Sequence, residues 1–210
     1  LVDVRAAALN RADLLQRAGK YPPPAGSSDI MGLEIAGEIS TLGAEVVDHH
    51  IGERVCALLP GGGYAERAVV PVEMLMPVPA DWDFEQAAAV PECFLTAFVN
   101  FYMEAGLQPG EIVLAHGGAS GVGTAAIQLA CASGNPIFVT AGNAEKVVRC
   151  EQLGAEIAIN YRDHDFVESV FEHTGGTGVD VILDIVGGDY LQRNLKLLKP
   201  KGRLVLISTL

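Results

Sequence analysis

Apolar runs and helical patterns alternate along the second half of the chain. Runs that predict buried strands lie at residues 112–115, 137–140, 156–160, 179–186 and 203–208. Helical patterns separate them, the last two at residues 165–173 and 189–198. This rhythm predicts a doubly wound parallel sheet of the α/β class. Its five predicted strands are one fewer than a dinucleotide-binding sheet usually has.

The first half differs, because short strand patterns and glycine or proline breaks dominate it. Strand patterns lie at residues 1–9, 31–43, 51–59 and 64–70. A helical pattern at 10–19 is ended by the prolines at 22–24. Helical patterns at 84–90 and 92–106 are separated by Pro91. We expect a mostly-β substrate domain over residues 1–91 and a nucleotide-binding domain over residues 92–210.

A glycine-dense segment joins the first of these later strands to a helix. Residues 116–123 read HGGASGVG and lead into an alanine-rich helical pattern that includes Val122 on its apolar face. This order brings the amides of a helix N-terminus to a phosphate. The glycines expected to let a pyrophosphate reach the backbone are Gly118, Gly121 and Gly123. Ser120 holds the place of the usual second glycine, and the alternative is a tight turn that binds nothing.

Composition narrows the class of protein further. Half of the 210 residues are hydrophobic and 19% are charged, which predicts a folded chain with a sizeable core. The net charge of −12 disfavours nucleic acid and anionic membranes as partners. No apolar run is long enough to span a membrane. The four cysteines form no C-x-x-C pair, so we expect buried thiols in a reducing, cytoplasmic compartment.

Several short motifs occur in the order typical of one enzyme family. They are NRAD at residues 10–13, GKYPPP at 19–24, LLPGGG at 58–63, AAAVP at 87–91, SGVG at 120–123 and NY at 160–161. Together they resemble the zinc-free, zeta-crystallin-like NADPH quinone oxidoreductases of the medium-chain dehydrogenase/reductase family, most closely the branch induced in the p53 response. The resemblance implies a partial GroES-like domain followed by a Rossmann domain without its last strand. The chain is therefore expected to be a fragment truncated at both ends.

The resemblance also implies a reaction and an assembly. NADPH would deliver a hydride to a small-molecule quinone without metal or flavin, and the full-length protein would be a homodimer. Zinc dehydrogenases of the superfamily carry Gly-His-Glu where Gly32, Leu33 and Glu34 stand, and no cysteine lies near Asn10. Since a catalytic zinc needs three protein ligands, we expect no metal.

The residues after the second strand of the nucleotide-binding domain favour NADPH over NADH. NAD-specific sites place a carboxylate near this strand tip, whereas residues 140–144 contain none. Lys146 follows one helical turn later and can meet a 2′-phosphate as a point charge. By resemblance, Gly142, Lys146 and Tyr161 form the adenosine-phosphate pocket. Taken singly, Lys146 could be an exposed helix residue and Tyr161 a half-buried aromatic.

Four side chains are candidates for the chemistry. Tyr21 is the favoured hydrogen-bond donor to the substrate oxygen, and its alternative role is packing against the prolines that follow it. The resemblance places Ser120 beneath the nicotinamide, although it could also cap the helix. Asn10 and Asp13 match the family's Asn-x-x-Asp positions at the cleft. Asp13 could instead be a charge on a helix face.

The substrate remains open between related acceptors. Other zeta-crystallin-like enzymes carry tyrosine where Leu15 stands, so this pocket is expected to be drier and their quinone preference does not transfer directly. Reduction of an enal or enone double bond uses the same hydride geometry. A third interpretation is a protein that binds NADPH without being chiefly an enzyme, as a crystallin or RNA-binding protein. The acidic net charge weighs against RNA.

Overall fold

The structure, a computed structural model, describes residues 1–207. The chain forms two compact units, one over Leu1–Glu92 and one that begins at Cys93. Ser208, the predicted end of the last strand, lies outside the described residues.

The first unit is built on an antiparallel sheet with the strand order β4-β1-β2-β3-β5. Its strands are β1 (Val2–Ala7), β2 (Glu34–Ile39), β3 (Arg54–Leu58), β4 (Arg67–Ala68) and β5 (Leu75–Pro77). Its helices are α1 (Arg11–Arg17) and α2 (Phe84–Ala88), with a 3₁₀ turn at Val72–Met74. Residues of β1, β2 and β3 form the centre of its core. The predicted mostly-β character is confirmed.

Glycine turns make these strands shorter than the sequence pattern predicts. The pattern at 31–43 yields only β2, because Gly32 has a φ of 104° and interrupts the extended backbone. An ideal Cβ at Gly32 would lie 2.5 Å from the backbone nitrogen of Tyr64. This close approach brings the loop that carries Tyr64 against the start of β2.

The second unit is a five-stranded parallel sheet with the order β10-β9-β6-β7-β8. Its strands are β6 (Val113–Ala115), β7 (Ile137–Ala141), β8 (Ile157–Asn160), β9 (Val179–Asp184) and β10 (Leu198–Leu206). The helices between them are α4 (Gly121–Ala132), α5 (Ala144–Gln152), α6 (Phe166–His173) and α7 (Tyr190–Leu197). Over residues 1–207 the predicted doubly wound sheet and its strand count are confirmed.

Successive residues of these strands enter two separate cores, as expected when helices cover both faces of a sheet. Val113 and Ala115 belong to one core, whereas Leu114 belongs to the other. The apolar face predicted for α4 is correct, since Ala126 and Ala130 are fully buried against the first of these cores.

Two details differ from the sequence-based expectations. The two helices predicted around Pro91 are present as α2 and α3 (Pro91–Phe98), but Pro91 is itself the first residue of α3, where its missing N–H breaks no helical hydrogen bond; a π-helical turn at Val99–Glu104 follows. Cysteine burial is also only partly as expected, because Cys131 is exposed and donates its thiol to the carbonyl of Gly154 at 3.1 Å. Within residues 1–207 no helix has the length and apolar character to cross a membrane.

Candidate functional site

The glycine turn presents free backbone amides at the start of α4. Ser120 is the N-cap, and its Oγ accepts a hydrogen bond from the amide of Gly123 at 3.0 Å. The amides of Gly121 and Val122 have no acceptor among residues 1–207. Unpaired amides at the N-terminus of a twelve-residue helix form an anion site that suits a pyrophosphate. The capping role predicted as an alternative for Ser120 is therefore real, and it leaves the hydroxyl hydrogen available.

Packing alone requires glycine at two of the three predicted positions, Gly118 and Gly123. An ideal Cβ at Gly118 would lie 2.6 Å from Val139, and one at Gly123 would lie 2.3 Å from the carbonyl oxygen of Gly117. At Gly121 it would lie 2.5 Å from Sγ of Cys93, which is the end of a side chain and not backbone, so packing requires glycine less strictly there. The sequence-based explanation, access for a pyrophosphate, is therefore incomplete, because these glycines also let the turn and helix pack against the sheet.

Gly142 and Tyr161 meet at the next two strand ends. Ala141 pairs with Asn160 in the parallel ladder, so the residues that follow them are neighbours. An ideal Cβ at Gly142 would lie 2.8 Å from the hydroxyl oxygen of Tyr161. Tyr161 is 44% exposed, so part of its side chain faces solvent beside Gly142.

Lys146 lies in the first turn of α5, which starts beside Gly142. Its backbone amide donates to Oδ1 of Asn143, the N-cap of that helix, at 2.9 Å. Its side chain is exposed and makes no ion pair or hydrogen bond within the part of the chain that the structure describes. An unpaired cation at a helix start is a suitable partner for a phosphate.

In the first unit, Tyr21 lines a cavity of about 170 Å³. Its ring is 47% exposed, and its hydroxyl has no partner among residues 1–207. The other residues of the wall are mostly apolar, and they include Pro23, Pro24, Leu33, Leu59 and Glu92. Tyr21 therefore presents a free hydroxyl in the cavity that Pro23 and Pro24 also line.

Asn10 and Asp13 are joined in a partly buried polar network. Asp13 is only 2% exposed, and its Oδ2 accepts from the Tyr64 hydroxyl at 2.8 Å and from the Asn10 amide at 2.7 Å. The alternative that Asp13 is a charge on a helix face is therefore wrong. Asn10 Nδ2 donates to Oε1 of Glu34 at 2.7 Å, while the Glu92 amide donates to Oε2 of Glu34 at 2.8 Å.

We refer to Asp13, Glu34 and Glu92 as the acid cluster. Burial raises the pKa of the Glu34 and Glu92 carboxyls, and the charge of Glu34 raises that of Glu92 further. Burial and the bond to Asp13 also raise the pKa of Tyr64, which keeps this hydroxyl protonated as a donor. The sequence patterns did not mark Glu34, Tyr64 or Glu92 as site residues. The one available signal was Glu34 itself, a charge within an apolar strand pattern.

A mostly-β unit with a polar network and a cavity, followed by an α/β unit with a phosphate-type turn, is an arrangement typical of two-domain, nucleotide-dependent oxidoreductases. Two known families match the chain: the alcohol dehydrogenase GroES-like domain over residues 1–80 and the zinc-binding dehydrogenase domain over residues 121–210. The chain belongs to the medium-chain dehydrogenase/reductase family, and it spans 64% of the length of the quinone oxidoreductases that it matches.

Three relatives illustrate this membership. The crystal structure of Escherichia coli quinone oxidoreductase complexed with NADPH is 35% identical with a TM-score of 0.88, over 99% of this chain and 64% of that one. The CurK enoyl reductase is 36% identical with a TM-score of 0.91, over 100% of this chain and 65% of that one. A highly reducing polyketide synthase of Emericella nidulans is 37% identical over 96% of this chain, which spans 8% of that protein.

The residues present do not fit a catalytic zinc, despite the name of the second family. By the resemblance Leu33 stands where zinc dehydrogenases carry a histidine ligand, and in the structure it forms part of the cavity wall. Within residues 1–207 no three histidine, cysteine or carboxylate side chains are grouped so that they could hold a metal ion.

Proposed function

We propose that this protein is a metal-free, NADPH-dependent reductase that transfers a hydride to quinones. The observation that carries the proposal is the glycine turn, with its two unpaired amides, on the same sheet edge as Gly142 and Tyr161. When bound, NADPH supplies the hydride, and the protein supplies binding and orientation.

The pyrophosphate and the adenosine end of the nucleotide have candidate partners in the second unit. The amides of Gly121 and Val122 receive the pyrophosphate, and the hydroxyl of Ser120 has a hydrogen left to donate. Gly142, Lys146 and Tyr161 receive the adenosine 2′-phosphate, because a cation and a hydroxyl stand where an NAD-specific site would carry a carboxylate.

The first unit supplies the groups for the substrate. The Tyr21 hydroxyl is a free donor in a mostly apolar cavity, where a hydrogen bond to a developing oxyanion is strong. Asn10 and Asp13 complete the proposed site, with Asp13 fixing the Asn10 backbone and the Tyr64 hydroxyl.

Reduction of an enoyl double bond is the second candidate function. It is favoured by the likeness to CurK enoyl reductase and to the highly reducing polyketide synthase. Hydride transfer to either acceptor places negative charge on a carbonyl oxygen, so the same donor serves both reactions.

Steady-state assays with NADPH separate these functions. The acceptors are an ortho-quinone, a para-quinone, an enal and an enoyl thioester. We expect the largest kcat/KM with a quinone, whereas a preference for the thioester would overturn the quinone assignment. Measurable NADPH binding without turnover of any acceptor would instead favour a non-enzymatic role.

Tyr21→Phe tests the proposed donor. Loss of the hydroxyl should lower kcat/KM by roughly ten- to a thousandfold, since a polarising bond to the reacting oxygen is lost. The NADPH Kd should remain unchanged, because the residue lies in the other unit. An unaltered kcat/KM would reduce Tyr21 to a packing residue.

We further propose that the protein is a cytoplasmic homodimer. In the described sheet β10 is an outer strand, and such edges favour association. Light scattering of the purified protein tests this, and a monomer at micromolar concentration would contradict it.

A further inference from the structure

Four side chains with no role in the proposed chemistry form a buried chain of hydrogen bonds in the second unit. Thr140, His116, Asn194 and Asp184 are each 1% exposed or less. His116 Nδ1 lies 3.1 Å from Thr140 Oγ1, and His116 Nε2 lies 2.8 Å from Asn194 Oδ1. Asn194 Nδ2 donates to Asp184 Oδ2 at 2.9 Å. We call this set the histidine relay.

The hydrogen bonds to Asp184 determine which atom is the donor in each of the other hydrogen bonds of the relay. The Asp184 carboxylate accepts from Asn194 Nδ2 and from the amides of Val186 and Gly187, at 2.7 and 3.0 Å. Because a carboxylate can only accept, the amide group of Asn194 faces Asp184 and its carbonyl oxygen faces His116. Nε2 of His116 must then carry the hydrogen.

The other ring nitrogen is consequently an acceptor. Thr140 Oγ1 already accepts from the Gly117 amide at 3.2 Å, and its own hydrogen is free to donate to Nδ1 of His116. Burial lowers the pKa of His116, in keeping with a neutral ring. Phe166 and Tyr190 pack against the ring at 4.9 Å between centroids.

The relay joins two loops at the edge of the sheet where the glycine turn lies. Gly117 opens that turn after β6, and Val186 and Gly187 follow β9, the neighbouring parallel strand. The two loops also touch, because an ideal Cβ at Gly117 would lie 2.4 Å from Cδ1 of Ile185. The tautomer of one histidine therefore helps to set the position of the turn relative to the loop after β9.

We propose that His116 is a positioning residue for the dinucleotide, acting through the relay to hold the glycine turn in its phosphate-binding form. This inference rests on the proposed binding of NADPH. It assigns no contact between His116 and the nucleotide.

The test compares His116→Leu, which loses both bonds, with His116→Gln, whose amide nitrogen can still donate to Asn194. Fluorescence titration of the folded proteins should give His116→Leu about tenfold or more weaker binding of both NADPH and NADH. His116→Gln should remain within about threefold of the wild type. Adenosine 2′-monophosphate, which lacks the pyrophosphate, should bind all three proteins equally.

Val170→Ala is the matched control. Val170 is fully buried in the same unit and has no part in the relay, so its truncation lowers stability without touching the turn. If Val170→Ala weakens NADPH binding as much as His116→Leu, the role of His116 is only structural and the inference fails.

Three further results are decisive. Should His116→Leu not fold, a tenfold weaker binding by Asn194→Leu would support the relay, and unchanged binding would overturn it. Nitrogen-15 NMR of the wild type should show an unprotonated Nδ1 in His116. A protonated Nδ1 would contradict the assigned direction of the hydrogen bonds in the relay. A wild type that binds no NADPH would instead refute the proposed function itself.

Discussion

The two units bury polar groups in opposite ways. The acid cluster of the first unit places carboxylates near one another, and Oδ1 of Asp13 is buried without a hydrogen-bond partner in residues 1–207. The histidine relay of the second unit contains one carboxylate, and its bonds form a continuous donor-to-acceptor order. An incompletely satisfied cluster costs stability, whereas a satisfied network rigidifies its surroundings. We infer that the first unit retains its cluster for function and that the second uses its relay for architecture.

Removing the carboxylate of the relay should have the largest effect on stability. Asp184→Ala leaves three buried donors, the amides of Val186 and Gly187 and Nδ2 of Asn194, without an acceptor. We expect a loss of about 3 kcal/mol or more in the free energy of unfolding of the second unit. Urea unfolding followed by far-UV circular dichroism, which reports mainly on α4 to α7, measures this loss.

Asp13→Asn is the corresponding change in the acid cluster. It keeps one oxygen for the Tyr64 hydroxyl and the Asn10 amide and removes a buried charge. Trp82 is the only tryptophan and lies in the first unit, so its fluorescence reports on that unit. A change of no more than about 1 kcal/mol is expected. Equal losses for the two variants would remove the contrast between the networks.

The fold could be predicted because its strands and helices have clear periodicity. The five strands of the second unit, the turn after β6 and the capping by Ser120 all follow from local patterns. The short strands of the first unit could not be placed accurately. Their ends depend on contacts between distant residues, as between Gly32 and Tyr64.

The candidate site was predictable only where a motif marks it. The resemblance predicted that Gly142 and Tyr161 share one pocket, and the structure places them in contact. Neither network could be predicted, because Asn10 meets Glu34 across 24 residues and His116 meets Asn194 across 78. A single polar residue at the end of an apolar run, such as His116, does not indicate its partner.

Lys146→Ala should separate direct contact with the nucleotide from indirect support of the glycine turn by the buried histidine relay. The exposed ammonium is the proposed partner of the 2′-phosphate, so NADPH binding should weaken by about 1–3 kcal/mol, which is roughly 5- to 150-fold. NADH lacks that phosphate and should bind as before. The stability of the unit should not change, since Lys146 takes no part in the relay. Fluorescence titration with both nucleotides measures this.

Raised salt provides an independent check on the same residue. It should weaken NADPH binding to the wild type more than NADH binding, because screening acts on the extra charge. Equal losses of both nucleotides in Lys146→Ala would mean that Lys146 supports the fold instead of reading the phosphate.

The smallest predicted effect is a difference in sign between the pH dependences of the two units. The pKa of Glu34 and Glu92 is raised in the folded state, so their stabilising contribution is complete below about 4.5 and is lost as the pH rises through the raised values. The pKa of His116 is lowered, with Asp184 and Arg193 as the charges facing it. Its contribution is complete above about 6.5 and is lost as the pH falls.

Between pH 4.5 and 6.5, therefore, rising pH should destabilise the first unit through these glutamates and stabilise the second through His116. Each unit of pKa difference corresponds to about 1.4 kcal/mol. Glu34→Gln should flatten the pH profile recorded by Trp82 fluorescence, and His116→Gln should flatten the one recorded by circular dichroism. All other titratable groups are present in both the wild type and the variant, so the difference between their two pH profiles isolates one residue. If Glu34→Gln left the pH profile of the fluorescence unchanged, Glu34 would be ionised throughout the range from pH 4.5 to 6.5. The acid cluster would then have to be stabilised by more than the two donors that contact Glu34.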